Sequence, residues 1–446
     1  MTKTFHLISL GCAKNLVDSE LLLGKMHQLG YAFVNEPESA DILLLNTCGF
    51  IQPAVEEAID EILYLAEIKK QFPVKKLIVI GCLIQRYQGN LVDEFPEVDF
   101  FLGTDAANHI ERFVSTETLH ISGHEPRLVI FPVSLMTNNM PRILATPGFR
   151  AYCKITEGCG NNCSYCMIPA IRGRLRSRTS QDILEEAQSL SLSGVKELSL
   201  IAQDLTAYGK DLGVDGGLVT LLTQLLQQTE IPWIRLLYLY PTGIQDELLE
   251  LMAANPRVVP YLDIPFQHAS TPVLQRMNRR YTGEDIYKLV ERIRRKLPDI
   301  ALRTTFLVGF PGETENDFRQ IHDLMTDLKL NHVGVFPYAN EEGCPSEHFD
   351  QQVPDEVKLD RQQHLLELQS TISLEVQKKY IGRIEEVLVE GVSSETELLL
   401  EGRTCYQAPE VDGCVYITDG IASPGDLVRV EITDAQVYDL VGAIVD

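Results

Sequence analysis

The stretch EGCGNNCSYCMIPAIRGRLRSR, residues 157–178, contains three cysteines, Cys159, Cys163 and Cys166, in the pattern CxxxCxxC. It follows an apolar run, YCKIT, so these loop cysteines are predicted to lie just after a strand. Three thiolates this close together suit an iron–sulfur cluster, and a 4Fe–4S cluster with three protein ligands keeps one iron open to an exogenous ligand. A zinc site completed by a histidine is the alternative, although no histidine lies nearby in the sequence.

Strand candidates recur at regular intervals after the loop cysteines. They are ELSLIA, IRLLYLY, YLDIPF, LRTTFLVGF and HVGVFPY, and helical segments separate them. Together with YCKIT they make six βα units, which predicts a partial (β/α)6 barrel with a parallel sheet. A CxxxCxxC loop with an aromatic residue, Tyr165, before its last cysteine and such a barrel after it resembles the signature of radical S-adenosylmethionine enzymes.

A second set of three cysteines lies in the N-terminal part of the chain. Cys12 follows HLISLG, Cys48 follows LLLNT and Cys82 follows LIVIG, and helices are expected at about 18–30 and 53–70. These N-terminal cysteines are 36 and 34 residues apart, which is one βα unit each time, so their thiols are expected at the same edge of a parallel sheet, where ligands bind. Three converging thiolates predict a second cluster with an open iron. The alternative is that free cysteines are often simply buried near strand ends.

Composition narrows the class of protein further. The chain has 446 residues, with 39 Lys and Arg against 63 Asp and Glu, and a net charge of −24 favours a basic protein partner over bare nucleic acid. No apolar run approaches the roughly 18 residues of a membrane span, and the N-terminus lacks a signal-peptide pattern, which predicts a cytoplasmic protein.

Ten cysteines are too sparse for a disulfide scaffold in a chain of this length. Four of them share no spacing and are interpreted as ordinary core or loop residues: Cys153, Cys344, Cys405 and Cys414.

The pattern of strands and helices predicts an α/β protein with four parts. Residues 1–118 form a parallel α/β domain, and the proline-containing segment 119–146 is a linker with room for one hairpin. Residues 147–377 form the partial barrel and end in a long helix that starts at about Asp355. Residues 378–446 contain short strands, VLVEG, LLLEGRT, VYITDG and DLVRVEIT, and form a small β-barrel.

Several motifs resemble one family over nearly the whole chain, the radical S-adenosylmethionine methylthiotransferases. They are LGCAKNLVDSE, LLLNTCGF, VIGC, EGCGNNCSYCMIPAIRGRLRSR, LVGFPGETENDF and the terminal β-module, which is similar to a TRAM domain of the OB-like type. Members insert sulfur and a methyl group at an unactivated carbon. The resemblance implies that the loop cysteines hold the 4Fe–4S cluster that cleaves S-adenosylmethionine to a radical. It also implies that the N-terminal cysteines hold an auxiliary 4Fe–4S cluster that carries the sulfur.

Within that family, SLGCAKNLVDSE and IPAIRGRLRSR resemble the ribosomal-protein branch. The tRNA branch usually shows Gln-Met-Asn after the first cysteine and Val-Pro-Tyr-Thr after the last. The resemblance implies a methylthio group added to the β-carbon of an aspartate in small-subunit ribosomal protein S-twelve. It further implies two molecules of S-adenosylmethionine and electrons from a flavodoxin- or ferredoxin-like donor.

The charge of the terminal module favours the same branch. From Tyr380 onward there are fourteen acidic residues against three basic ones, Arg383, Arg403 and Arg429. Small β-barrels that bind RNA normally present a positive face, so direct tRNA binding is not expected, and an acidic barrel complements a basic ribosomal protein. The carboxylates could instead only keep the module soluble. Two other functions stay open. One is a tRNA methylthiotransferase that acts on an N6-modified adenosine. The other is a non-catalytic electron relay, although an iron left open in each cluster is unusual for an electron carrier.

Further residues are candidates for binding S-adenosylmethionine. Gln203, Gln267 and Arg303 are expected at comparable positions near the carboxyl ends of barrel strands, and the resemblance places the adenine beside Gly309. Satisfied core polar groups and a plain glycine turn are the alternatives. A run of arginines after the loop cysteines suits a carboxylate or the negative charge of a cluster, although a charge run is usually a solvated face. Its members are Arg172, Arg174, Arg176 and Arg178.

Overall fold

The computed structural model describes residues 2–115, 127–214 and 216–445, and its N-terminal part contains a six-stranded sheet. The strands are β1 (Thr4–Ser9), β2 (Ala32–Phe33), β3 (Ile42–Thr47), β4 (Lys76–Gly81), β5 (Phe100–Leu102) and β6 (Leu128–Val129), and the helices are α1 (Ala13–Gln28), α2 (Gln52–Gln71), α3 (Cys82–Tyr87) and α4 (Ile110–Val114). The order is β2-β1-β3-β4-β5-β6, and every neighbouring pair is parallel. Because helices cover both faces of the sheet, β3 and β4 are buried at every residue. The predicted parallel α/β domain is confirmed.

Helix α1 begins at Ala13 rather than at the predicted Asp18. Cys12 is its N-cap in an extended conformation. The polar side chains of the first turns, including Lys14 and Asn15, are buried against other parts of the molecule. Their burial hides the apolar periodicity by which a surface helix is recognised in a sequence.

The described part of the linker, residues 127–146, extends the first sheet and contains no hairpin. Residues 119–126 of the predicted linker lie outside the described residues, and within 127–147 the only strand is β6, which pairs in parallel with β5. Arg142 anchors the rest of the linker, since its Nη2 donates to Glu20 Oε2 of α1 at 2.6 Å and its Nη1 contacts Glu186. The expectation of a hairpin is therefore wrong for the described part, and the exact domain boundaries stay predictions.

The central part is a partial barrel of six parallel strands, as predicted. The strands are β7 (Arg150–Lys154), β10 (Glu197–Ile201), β11 (Trp233–Leu236), β12 (Val258–Asp263), β13 (Ala301–Val308) and β14 (His332–Pro337), in that order, and β8 (Thr156–Glu157) and β9 (Arg176–Ser177) form a separate antiparallel pair. The helices are α5 (Ile168–Arg172), α6 (Ser180–Leu192), α7 (Gly217–Gln228), α8 (Asp246–Ala254), α9 (Thr271–Arg276), α10 (Gly283–Lys296), α11 (Glu315–Leu328) and the long α12 (Asp355–Gln377). The helices pack on the outer face of the strands and form the largest apolar core.

The inner face of the barrel is covered by the two other domains. Val17 and Leu21 of α1 and Leu388 of the C-terminal domain share one apolar cluster with the strand residues Trp233 and Tyr261. An open barrel would otherwise expose these aromatic side chains to water. The site at its mouth is therefore built jointly by the N-terminal domain and the barrel.

The C-terminal domain is a closed β-barrel of five strands, which confirms the predicted small barrel. The strands are β15 (Ile384–Val392), β16 (Leu400–Thr404), β17 (Val415–Ile417), β18 (Leu427–Ala435) and β19 (Leu440–Ile444), with order β15-β16-β17-β19-β18. Four of these strands match the predicted runs, and β19 was missed. Among the described residues, no helix has the length and apolar character that crossing a membrane requires.

Candidate functional site

The N-terminal cysteines converge at one edge of the first sheet. Cys12 follows β1, Cys48 follows β3, and Cys82 begins α3 directly after β4. Gly11 shows how closely the first two approach, since a Cβ added there would lie 2.9 Å from Cys48 Sγ. The predicted convergence is present in the fold, and a role of these thiols as cluster ligands stays a prediction.

The three N-terminal thiols ionise differently because their surroundings differ. Desolvation by burial raises the pKa of the Cys48 thiol and raises the pKa of Cys82 to about 12. Desolvation opposes ionisation of Cys12 too, but the charges of Lys14 and Arg172 and backbone N–H groups outweigh it and lower its pKa. Cys12 is also the exposed member of the set. Because the thiolate is the form that binds metal, Cys12 is the readiest of the three to do so.

The loop cysteines lie between β8 and α5 in a loop that its own backbone holds together. Cys159 N donates to Gly173 O at 3.1 Å, Cys163 N donates to Asn161 O at 2.9 Å, and Cys166 N donates to Cys163 O at 3.2 Å. Asn161 N in turn donates to Cys159 Sγ at 3.4 Å. Burial, together with the charge of the two neighbouring thiols, raises the pKa of Cys166 to about 12. The loop therefore gathers three thiols that a positive centre would help to ionise.

A buried arginine donates a hydrogen bond to one thiol of each cysteine set. Arg172 Nη2 lies 3.1 Å from Cys82 Sγ, and Arg279 Nη1 lies 3.5 Å from Cys163 Sγ. The two side chains are only 3% and 8% exposed. The sequence made Arg172 a candidate but missed Arg279, since the contact of Arg279 with a thiol more than a hundred positions away depends on tertiary packing.

One small apolar cluster contains a cysteine of the N-terminal set and a direct neighbour of the loop cysteines. Cys82 packs there with Met167 and Ile171, and Met167 directly follows Cys166. Cys344, interpreted from the sequence as an ordinary residue, belongs to the same cluster and is buried. The fold thus packs Cys82 of the N-terminal set beside the residue that follows the last loop cysteine.

Charged side chains join the two halves of the site beside this cluster. Asp18 of α1 accepts a hydrogen bond from Arg172 Nη1 at 2.6 Å and pairs with Lys154 at the end of β7. Lys154 Nζ also lies 2.9 Å from Glu157 Oε2. All four side chains are largely buried. Apart from the run of arginines, no sequence pattern indicates this network. A buried charge removed from such a network would leave its partner unpaired at a high energetic cost.

The other arginines of the run serve the structure or the surface. Arg178 is buried and pairs with Asp182 and Glu186 at 2.7 and 2.6 Å. Arg176 donates to the carbonyl of Val133 in the linker, and Arg174 is exposed. Of these four arginines, Arg172 alone contacts one of the loop cysteines or N-terminal cysteines.

Two of the predicted cofactor contacts have protein partners. Arg303 is the third residue of β13, so its expected place at a carboxyl end was wrong, and its Nη1 lies 2.5 Å from Asp412 Oδ1 of the C-terminal domain. Gly309 has φ +74°, and its N donates to Glu313 Oε2 at 2.7 Å. A Cβ there would lie 2.2 Å from Lys358 Cγ, which supports the glycine-turn alternative.

The remaining three candidates lie at the mouth of the barrel. Gln203 comes just after β10 and is half-buried. Gln267 has a left-handed backbone, with φ 68°, and its N donates to Thr305 O at 2.7 Å. The ring of Tyr165 packs edge-on against that of Phe310 at 6.4 Å. Their contact with a cofactor stays a prediction.

The donor chemistry of the site fits 4Fe–4S clusters. Each set supplies three thiols, which can ligate such a cluster, and a nearby guanidinium, whose positive charge suits the negative charge of the cluster. Within the described ranges, no three His, Cys, Asp or Glu side chains come close enough together to hold a single metal ion. Thiolates of a 4Fe–4S cluster each bind a different iron, so they need not converge on one point.

Comparison with protein-family models divides the chain as the fold does. Residues 4–103 match Uncharacterized protein family UPF0004, residues 153–325 match the Radical SAM superfamily, and residues 381–445 match the TRAM domain. Together with the parallel barrel and its three-cysteine loop, these matches define a radical S-adenosylmethionine enzyme, a class that works with S-adenosylmethionine and a 4Fe–4S cluster.

Curated relatives narrow the class to one family. The chain is 59% identical over 442 residues to the ribosomal protein uS12 methylthiotransferase RimO of Desulfotalea psychrophila, covering 99% of both chains. It is 46% identical to the protein of the same name from Citrifermentans bemidjiense, covering 99% of this chain and 98% of that one. The chain therefore belongs to the family of ribosomal protein uS12 methylthiotransferases.

Solved structures support the fold alone. The radical S-adenosylmethionine methyltransferase TsrM from Kitasatospora setae, with tryptophan substrate and a cofactor analogue bound, matches with a TM-score of 0.55 at 15% identity, over 88% of this chain and 79% of that one. The cobalamin-dependent S-adenosylmethionine radical enzyme OxsB matches with a TM-score of 0.53 at 13% identity, over 81% of this chain and 56% of that one.

Proposed function

We propose that this enzyme adds a methylthio group to the β-carbon of an aspartate in ribosomal protein uS12, using S-adenosylmethionine and two 4Fe–4S clusters. The observation that carries the proposal is the pair of three-thiol sets, in each of which a buried arginine donates to one thiol. Full-length similarity to relatives named for this activity supports it. An electron relay has no need for two such sets with an open iron each.

In this proposal the loop cysteines hold one cluster and the N-terminal cysteines hold the other. When bound, the clusters and S-adenosylmethionine supply the carbon radical and the sulfur. The chain's own residues stabilise the negative charge of the ligands, since Arg172 and Arg279 each donate to one thiol. Cys82, Met167, Ile171 and Cys344 form a buried apolar cluster beside these cysteines.

Charge supports a basic protein as the macromolecular partner. The C-terminal barrel carries most of its carboxylates on its surface, among them Glu397, Asp419 and Glu431. A basic ribosomal protein would associate faster with such a surface, and tRNA would be repelled. We further propose that the enzyme acts in the cytoplasm and receives its electrons from a flavodoxin- or ferredoxin-like protein.

The test compares uS12 and tRNA by mass spectrometry in cells that lack the gene. Cells are complemented with wild type, with a Cys12→Ala variant or with a Cys405→Ala variant as a control outside both sets. We expect the added mass of a methylthio group on the aspartate to disappear in the deletion and to return with wild type and Cys405→Ala only. An unchanged uS12 with loss of the group from a tRNA adenosine would instead establish the tRNA activity.

A further inference from the structure

Lys14 is a buried lysine whose hydrogen-bonding capacity is largely unused. Lys14 is the second residue of α1, and it is only 7% exposed. The ammonium has three N–H donors, and Nζ has one acceptor, Ala202 O at 3.4 Å. It lies 3.3 Å from the centre of the Tyr238 ring. Among the described residues, no carboxylate oxygen is within 4 Å of Nζ.

The ammonium lies where the two halves of the site meet. Lys14 is two residues after Cys12, and Ala202 and Tyr238 follow the barrel strands β10 and β11. Asp263, at the end of β12, completes this rim, since Tyr238 N donates to its Oδ2 at 3.2 Å. Lys14 Nζ therefore lies between the segment that carries Cys12 and the carboxyl ends of the barrel strands.

The carboxylates around Lys14 have partners elsewhere, and the other negative group beside it is the Cys12 thiolate, which belongs to the N-terminal cysteines. The charged groups that act on Lys14 are Cys12, Asp263, Arg172 and Glu157. Glu157 pairs with Lys154, Arg172 pairs with Asp18, and Asp263 accepts from Tyr238 N. A buried cation normally has a carboxylate partner of its own, and this one has none within the described residues.

We propose that Lys14 Nζ binds the carboxylate of the substrate aspartate and so selects an acidic side chain for modification. The inference rests on the proposed function and assigns the residue that recognises the substrate group. A charge-assisted hydrogen bond in a site screened from water favours a carboxylate over the neutral amide of the same shape. S-adenosylmethionine also carries a carboxylate, so the test must distinguish the two sources.

The experiment measures binding of a uS12 peptide to the enzyme reconstituted with both clusters. The peptide carries either the target aspartate or asparagine in its place, and binding is followed anaerobically by fluorescence anisotropy. We expect wild type to bind the aspartate peptide at least about tenfold more tightly. Lys14→Met should reduce this ratio to about twofold or less by weakening the aspartate peptide alone. Lys14→Arg should retain part of the preference.

Matched controls separate the possible failures. Lys210→Met removes an exposed lysine from the loop after β10 and should keep the wild-type ratio. Affinity for S-adenosylmethionine should be the same in wild type and Lys14→Met. A loss of that affinity with an unchanged peptide ratio overturns the proposal in favour of the cofactor carboxylate. If Lys14→Met retains less iron than wild type, the peptide measurement is made with Lys14→Gln instead. The same loss of preference for the aspartate peptide is expected.

The proposed function can fail independently. A wild-type enzyme that binds neither peptide and leaves uS12 unmodified in cells contradicts the proposed function itself. A wild-type enzyme that modifies uS12 and discriminates the peptides equally well with Lys14→Met contradicts only the role of Lys14.

Discussion

Arg172 is the residue that ties the two halves of the site together. It is buried and donates to Cys82 Sγ, to Asn15 Oδ1 at 3.2 Å and to Asp18 Oδ2. We predict that Arg172→Met lowers the free energy of unfolding by about 3 kcal/mol or more, because it leaves part of a buried charge network unpaired. It should also reduce the iron retained after reconstitution. Urea denaturation of the apoprotein and iron analysis measure the two effects.

Arg174→Met is the matched control, since Arg174 lies two residues away and is exposed. A surface substitution of this kind should change the free energy of unfolding by no more than about 0.5 kcal/mol and leave the iron content unchanged. Equal effects of the two substitutions would show that the contacts of Arg172 do not stabilise the site.

At this scale the sequence predicts residues whose position along the chain reveals their role. The cysteines are such residues, because each follows a strand or belongs to a compact motif. Arg279 and Lys14 are not, since each acquires its role from a contact between segments far apart in the sequence. Arg303 was named as a candidate but placed wrongly. It was expected near the carboxyl end of β13 and is the third residue of that strand, because strand ends are poorly defined by sequence.

Among the structural elements, the turn after β13 depends on a single glycine. Gly309 has φ +74°, and a Cβ would meet Lys358 Cγ of α12 at 2.2 Å. We predict that Gly309→Ala lowers the free energy of unfolding by about 2 kcal/mol or more, since backbone strain and overpacking both contribute. Urea denaturation checks the value.

Gly194, which follows α6, separates these two contributions. Its φ is +92°, but an added Cβ has nothing within 4 Å. Gly194→Ala should therefore cost only the backbone term, about 1 kcal/mol. If the two alanine variants lose the same stability, the close approach of Lys358 contributes nothing.

Strands and helices were predictable from sequence where their periodicity matches their surroundings. The fully buried and mainly apolar β3 and β4 and the six barrel strands are examples, because both faces of each are covered. The start of α1 and the short β19 were not predicted. Polar side chains of α1 are buried, Lys14 against the central barrel and Ser19 within its own domain. β19 is a brief run, LVGAI, that contains a glycine and closes a barrel. Such features depend on the assembled molecule rather than on local pattern.

At the scale of the whole molecule, a buried carboxylate joins the C-terminal barrel to the central one. Glu197 of β10 accepts from Arg403 Nη2 of β16 at 2.6 Å and from Arg235 Nε of β11 at 2.5 Å. Burial alone would raise the pKa of Glu197, but the two guanidinium groups lower it to about 2. A carboxyl group with a depressed pKa stabilises the fold above its unfolded pKa, and this stabilisation is lost as the pH falls from about 4.5 towards 2.

We therefore predict that Glu197→Gln is less stable than wild type by roughly 3 kcal/mol near neutral pH. The difference should begin to shrink below about pH 4.5, because the carboxyl group of the unfolded chain then takes up a proton while that of the folded chain stays ionised until about pH 2. Urea denaturation at several pH values follows it, with Glu431→Gln on the exposed face of β18 as the control. A difference that stays constant down to about pH 3 would contradict the assigned pKa.

The net charge of −24 leads to a last prediction about association. Glu397 and Asp419 lie in two loops at the same end of the C-terminal barrel, because β16 begins beside the end of β17. If these carboxylates attract a basic ribosomal protein, Glu397→Gln with Asp419→Asn should slow the binding of uS12 severalfold at low ionic strength, and added salt should remove the difference. Glu57→Gln with Asp60→Asn on α2 removes the same charge from another exposed surface and should have a smaller effect. Stopped-flow kinetics at about 50 and 300 mM salt distinguish the cases, and equal effects of the two pairs would mean that net charge, rather than the C-terminal barrel, accelerates association.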